Sequence, residues 1–149
     1  MQRQPKDRPD IQVFAEIGAI DQLATVRIER VLPEGVTHAQ FMVLNHLAQH
    51  GRAFTPVQLA RTFQVTKGAM TNTVQRLANA GYVAMEGDAA DGRKKWLSIT
   101  PAGVAVHDQC LSAVRPMIDG LRQVFAETDF AAALPFLKAL RGWLGEAGA

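Results

Sequence analysis

The chain has 149 residues, about one domain's worth, with 48% hydrophobic and 20% charged residues. That balance excludes a disordered or collagen-like chain. A lone cysteine, Cys110, excludes an internal disulfide and any CxxC metal or redox motif. No run approaches the roughly 18 apolar residues of a membrane span. The opening MQRQPKDRPD lacks the apolar stretch of a secretory leader, so a cytoplasmic protein is expected.

The net charge of +2 is unevenly placed. Residues 52–95 carry Arg52, Arg61, Lys67, Arg76, Arg93, Lys94 and Lys95 against Glu86, Asp88 and Asp91, a net of +4. The flanks, 1–51 and 96–149, carry −1 each. A basic middle on a neutral frame points to a polyanion-binding module.

In chain order, residues 1–9 are polar with two prolines and read as a flexible arm. From Asp10, Ile11, Phe14, Ile17, Ala24, Ile28 and Val31 recur at three- and four-residue steps, predicting a helix that stops at Pro33-Glu34-Gly35. Thr37 and Gln40 form a capping-box pattern ahead of a second helix with Phe41, Leu44, Leu47 and Ala48 on its apolar stripe, closed by Gly51. Thr55-Pro56 opens a short third helix, and after a tight Gln64-Val65 turn Thr66 caps a fourth that runs to Gly81. Two short helices joined in this way are the helix-turn-helix pattern.

Tyr82–Met85 and Trp96–Ile99 are strand candidates around a hairpin signal at Asp91-Gly92. Thr100-Pro101 starts a long helix through Phe125 that Pro116 should kink or interrupt, and a last helix spans about Phe130 to Leu144 around Pro135. The expected fold is mainly α with a small β-hairpin wing: a winged helix-turn-helix over 37–100, flanked by dimerisation helices at 10–36 and 101–149.

With Met70, Val74 and Leu77 inward, Lys67, Gly68, Thr71, Asn72 and Gln75 share the outer face of the fourth helix. Together with Thr66 they supply a cation, hydroxyls and two amides able to read adenine in the major groove, at a helix N-terminus that attracts phosphate. Arg93, Lys94 and Lys95 at the hairpin suit a narrow minor groove. Asp91 is expected to hold the hairpin or the arginine in shape. Arg52, Arg61 and Arg76 are phosphate candidates, although exposed arginines are also common on inert surfaces. Phe130, Leu134, Leu137 and Leu144 form one apolar stripe of the last helix and Phe136, Leu140 and Trp143 a second, so that helix needs two partners.

Val65-Thr66-Lys67-Gly68-Ala69-Met70-Thr71, Leu77, Ala80-Gly81-Tyr82-Val83, Asp91-Gly92-Arg93 and Leu97-Ser98-Ile99-Thr100-Pro101-Ala102-Gly103 together resemble the signature of the multiple antibiotic resistance regulator (MarR) family. The resemblance runs from about residue 10 to 145. It departs at Ala78, where the family usually has glutamate. It implies a homodimer joined through both termini that binds a pseudo-palindromic site on double-stranded DNA, acts as a ligand-responsive repressor and needs no cofactor.

The effector implied is a small aromatic or anionic molecule, with Phe14, Ile17, Met42 and His46 as candidate lining. Two alternatives stay open: a winged helix used for protein contact, and a metal- or redox-responsive regulator of the same family. His46 and His50, one helical turn apart, could chelate, and His38 and His107 could approach each other, but no carboxylate cluster accompanies either pair and no metal is expected. Cys110 reads as a buried structural thiol. No nucleophile–base motif, phosphate loop or HExxH pair points to an enzyme.

Overall fold

A computed structural model describes residues 8–146 of the chain. Six helices and one hairpin follow in the order α1 (Pro9–Val31), α2 (His38–His50), α3 (Pro56–Phe63), α4 (Lys67–Asn79), β1 (Val83–Gly87), β2 (Lys95–Ile99), α5 (Pro101–Val124) and α6 (Glu127–Glu146). Contacts divide the chain into a unit ending at Val114 and a unit beginning at Arg115.

The starts of α2 and α3 are fixed locally by side chains. The Thr37 hydroxyl accepts the Gln40 N–H while Gln40 Oε1 accepts the Thr37 N–H, and Thr55 and Gln58 repeat the exchange at α3. Each reciprocal pair satisfies two donors that a helix N-terminus otherwise leaves open. α2 ends at Gly51, whose φ of 60° closes the cap. The turn between α3 and α4 places Gln64 at φ 53°, a left-handed conformation rare outside glycine, and its Nε2 holds the turn by donating to the Arg61 carbonyl at 2.7 Å.

The core of the first unit is built on Leu44, Leu47, Leu59, Leu77 and Leu97, all fully buried, with Val43, Val74 and Met70 around them. Each such side chain contributes about 1.5–3 kcal/mol by leaving water. β1 and β2 pair antiparallel, from Val83 opposite Ile99 to Gly87 opposite Lys95. The hairpin base is tied to the segment before α3 by a bridge, with Phe54 N–H to the Leu97 carbonyl at 3.0 Å and Leu97 N–H to the Phe54 carbonyl at 2.7 Å. α5 starts against the hairpin at Gly103, where a Cβ would collide with the Tyr82 carbonyl. Only glycine allows that approach.

Several sequence expectations change. Residues 1–7 of the expected arm lie outside the described residues, and Pro9, assigned to that arm, is the first residue of α1, where its fixed φ and missing N–H suit the position. The strands extend to Gly87 and from Lys95, so the loop around Asp91-Gly92 is shorter than the stretch between the two strand candidates. α5 runs uninterrupted through Pro116, and α6 contains Pro135 as expected. Each proline deprives only one carbonyl of its partner, that of Ser112 or Ala131, and both residues face solvent. α6 also begins earlier than its apolar stripe, at Glu127, because Asp129 Oδ2 accepts the Ala126 N–H and acidic residues suit a helix N-terminus. The segment from residue 101, expected to serve dimerisation, also supplies Val106, His107 and Cys110 to the interior of the first unit.

Candidate nucleic-acid interface

α4 turns Met70, Val74 and Leu77 into the core, and Lys67, Gly68, Thr71, Asn72 and Gln75 are all exposed. Thr66 is the N-cap, its hydroxyl oxygen accepting the Ala69 N–H at 3.1 Å. Its major contribution is therefore to fix where the helix begins. Among the described residues nothing lies within 4 Å of the position a Gly68 Cβ would take, so the fold does not itself require glycine there.

Two of the outward groups are already committed. Thr71 donates its hydroxyl proton to the Lys67 carbonyl at 2.8 Å, leaving an acceptor oxygen and a methyl group facing outward instead of the donor expected. Gln75 Nε2 donates to Asn79 Oδ1 at 3.0 Å, one turn further on, which leaves Gln75 Oε1 and one N–H to present. Asn79 was not singled out from the sequence, although an amide pair at i and i+4 is the signal that would have found it.

The wing is more ordered than a string of turn residues suggests. Asp91 Oδ1 accepts the Arg93 backbone N–H at 3.0 Å and the Asp91 carbonyl accepts the Lys94 N–H at 3.0 Å. Asp91 thus shapes the backbone under Arg93 rather than gripping its guanidinium. Asp88, counted in the sequence only as a charge, joins the loop to the strands: Oδ1 accepts the Ala90 N–H at 2.8 Å and Oδ2 the Trp96 indole N–H at 3.0 Å. Those bonds, the indole's first, hold the Asp88 carboxyl below the ordinary aspartate value. Lys94 Nζ lies 5.9 Å above the Trp96 ring, within cation–π range. Arg93 and Lys95 are exposed.

Among the phosphate candidates, Arg52 stacks on Phe54 at 3.9 Å, while Arg61 and Arg76 are exposed in the last turns of α3 and α4. Of the four residues named as effector lining, Met42 alone lines the cavity described next. A cavity of about 390 Å³ is lined by Met42 together with Asp21, Thr25, His38, Phe63 and Met70 and their neighbours. Phe14 and Ile17 lie elsewhere on α1. His46 packs instead among rings, 4.1 Å from His50, 4.6 Å from Phe54 and 5.6 Å from Phe63. Its Nε2 is enclosed without a hydrogen-bond partner among the described residues, and burial, aided by His50 and Arg52, holds its pKa below the ordinary imidazole value.

His107 meets Asn45 Oδ1 at 3.0 Å, and His38 faces the cavity. Among the described residues no group of three His, Cys, Asp or Glu side chains lies close enough to hold a metal ion. Cys110 is fully buried and its thiol is pushed up by that burial, which disfavours the reactive thiolate. No described helix is long and apolar enough to cross a membrane.

A helix-turn-helix whose second helix offers a polar outer face, followed at once by a basic hairpin, defines a winged helix. The model of the MarR family matches residues 34–94, the segment that holds both α4 and the wing. The MarR protein of Salmonella typhimurium is 33% identical over 78 residues, 52% of this chain and 54% of that protein. The match therefore spans about half the length of that curated relative.

Among solved structures, a cysteine-to-serine variant of Escherichia coli MarR in complex with operator DNA superposes with a TM-score of 0.78 at 25% identity, covering 93% of this chain and 99% of that one. The fold is shared with BpsR of Bordetella bronchiseptica, whose DNA binding is regulated by 6-hydroxynicotinic acid, at a TM-score of 0.76 and 21% identity over 87% of this chain and 98% of that one. The segment holding the winged helix thus resembles the MarR family, and the proteins and structures it is similar to include regulators that bind operator DNA.

Proposed function

We propose that the protein is a cytoplasmic, homodimeric regulator that binds a pseudo-palindromic operator and represses transcription until a small molecule releases it. The observation that carries the DNA-binding part is the joint presentation of two reading surfaces on one packed body. α4 offers Lys67, Thr71, Asn72 and Gln75, and the wing, tied to that body at Phe54 and Leu97, offers Arg93 with Lys94 and Lys95. Lys67 supplies a cation for phosphate or guanine, Asn72 and Gln75 supply amide edges for adenine, and Thr71 accepts a base N–H while its methyl meets thymine. Arg93 enters the minor groove, where negative potential concentrates.

Dimerisation is supported by the apolar load of the terminal helices. Ile11, Phe14, Ile20 and Leu23 of α1, and Phe130, Leu134, Leu137 and Trp143 of α6, are all exposed in the single chain. Patches of that kind mark a subunit interface. The effector site that the geometry favours is the Met42 cavity, because Ala69, Met70 and Thr73 bring α4 itself into its wall. Its volume and its largely apolar wall, with His38 and Asp21 as polar groups, suit a small aromatic molecule carrying hydrogen-bonding substituents.

The test is binding of the purified protein to operators selected from a random duplex library, at two salt concentrations. Selective binding that weakens steeply with salt is the expected result, because phosphate contacts release counterions. Failure of the library to enrich any sequence even at low salt overturns the DNA reading and favours a protein partner for the winged helix.

A further inference from the structure

The wing-tip loop is held by one side chain that lies outside the arginine motif. Asp88 stands at the end of β1 and binds three ways: its N–H to the Lys94 carbonyl at 2.9 Å, Oδ1 to the Ala90 N–H and Oδ2 to the Trp96 indole N–H. Trp96 is half-buried in β2, and Lys94 rides over its ring. The loop from Ala89 to Arg93 therefore springs from a base pinned on both sides by a single carboxylate.

We infer that Asp88 and Trp96 form a clamp that positions Arg93 for DNA, making Asp88 a positioning residue of the interface although it is acidic and touches no nucleic acid. The inference rests on the DNA-binding reading above. It reverses the electrostatic expectation. An acidic side chain near a polyanion repels it, so deleting Asp88 should tighten binding if charge alone mattered. With the clamp, deletion weakens binding, because Arg93 must then be ordered at the moment of association.

The experiment measures affinity for a duplex selected by the wild-type protein, using Asp88→Ala, Trp96→Phe and each of these combined with Arg93→Ala. Trp96→Phe keeps the net charge and an aromatic ring beneath Lys94, and removes only the indole donor. Each single variant is expected to bind about three- to tenfold more weakly, the scale of one hydrogen bond. In the Arg93→Ala background the same changes should have little further effect, a non-additivity that a general loss of folding does not produce.

Unchanged or tighter binding by Asp88→Ala and Trp96→Phe overturns the clamp, as does equal weakening with and without Arg93. Loss of selective binding by the wild-type protein itself would instead strike the DNA reading, and the clamp with it. The two failures are distinguished by the wild-type control.

Discussion

Residues 37–100 and the terminal helices are comparably rich in apolar side chains, yet they spend them in opposite ways. In the winged helix, Leu44, Leu47, Leu59, Leu77 and Leu97 are sealed from water, whereas neither α1 nor α6 has a single buried residue. Leu23 is 66% exposed and Trp143 is also 66% exposed. Periodicity announces a helix equally well in both regions, but only packing tells whether its stripe is satisfied within the chain. The first region is an intramolecular core, and the second leaves its stripes exposed within the single chain.

The largest expected effect separates the two directly. Leu59→Ala should cost about 2–5 kcal/mol in urea unfolding, through lost transfer energy and the cavity left behind. The cost should not change with protein concentration. On α6, Phe130→Asp combined with Leu137→Asp should weaken self-association by at least ~30-fold, equivalent to about 2 kcal/mol, and shift sedimentation towards the monomer. A monomeric wild-type protein, or a double variant that sediments unchanged, would break the comparison by showing that these faces are merely tolerated in water.

At the reading surface the expected effects are smaller and differ in kind. Gln75→Ala should cost roughly 1–3 kcal/mol and relax the preference at one base pair. Lys94→Ala should weaken every duplex alike and lower the salt slope by about one. A uniform loss on all sequences for Gln75→Ala would remove that amide from base readout.

The smallest effect concerns acid. Burial keeps His46 below the ordinary imidazole value, so the unfolded chain takes up a proton at a pH where the folded chain does not. Stability is therefore complete above about pH 6.5 and declines as the pH falls below it. His46→Phe should make the melting temperature less sensitive to acidification by a few degrees, read from melts at about pH 7.5 and about pH 5.5. An unaltered pH response would place the sensitivity elsewhere.

What could be read from the residues alone follows the same division. Thr37 with Gln40, Thr55 with Pro56, and Thr66 act within one turn of themselves, so the helix starts they predict are found where expected. The outward face of α4 was legible because it is the complement of Met70, Val74 and Leu77. Contacts made across the chain were not legible. The Asp88–Trp96 bond spans eight positions with no periodic signal. The cavity that holds Met42 draws on four helices and the turn after α3, and Phe14 and Ile17, equally apolar, are not in its wall. Pro116 looked like an interruption because the solvation of one orphaned carbonyl depends on which way the helix faces.

The bridge between Phe54 and Leu97 has a consequence of its own. It is made from main-chain atoms, so it ties the hairpin base to the segment before α3 whatever side chains α4 and the hairpin tip carry. On the proposed function, substitutions along α4 or at the hairpin tip would rewrite which letters of a duplex are favoured, while that main-chain tie stays in place. A scaffold of this sort can acquire a new target by drift at a handful of exposed positions, with no need to relearn how to sit on the helix.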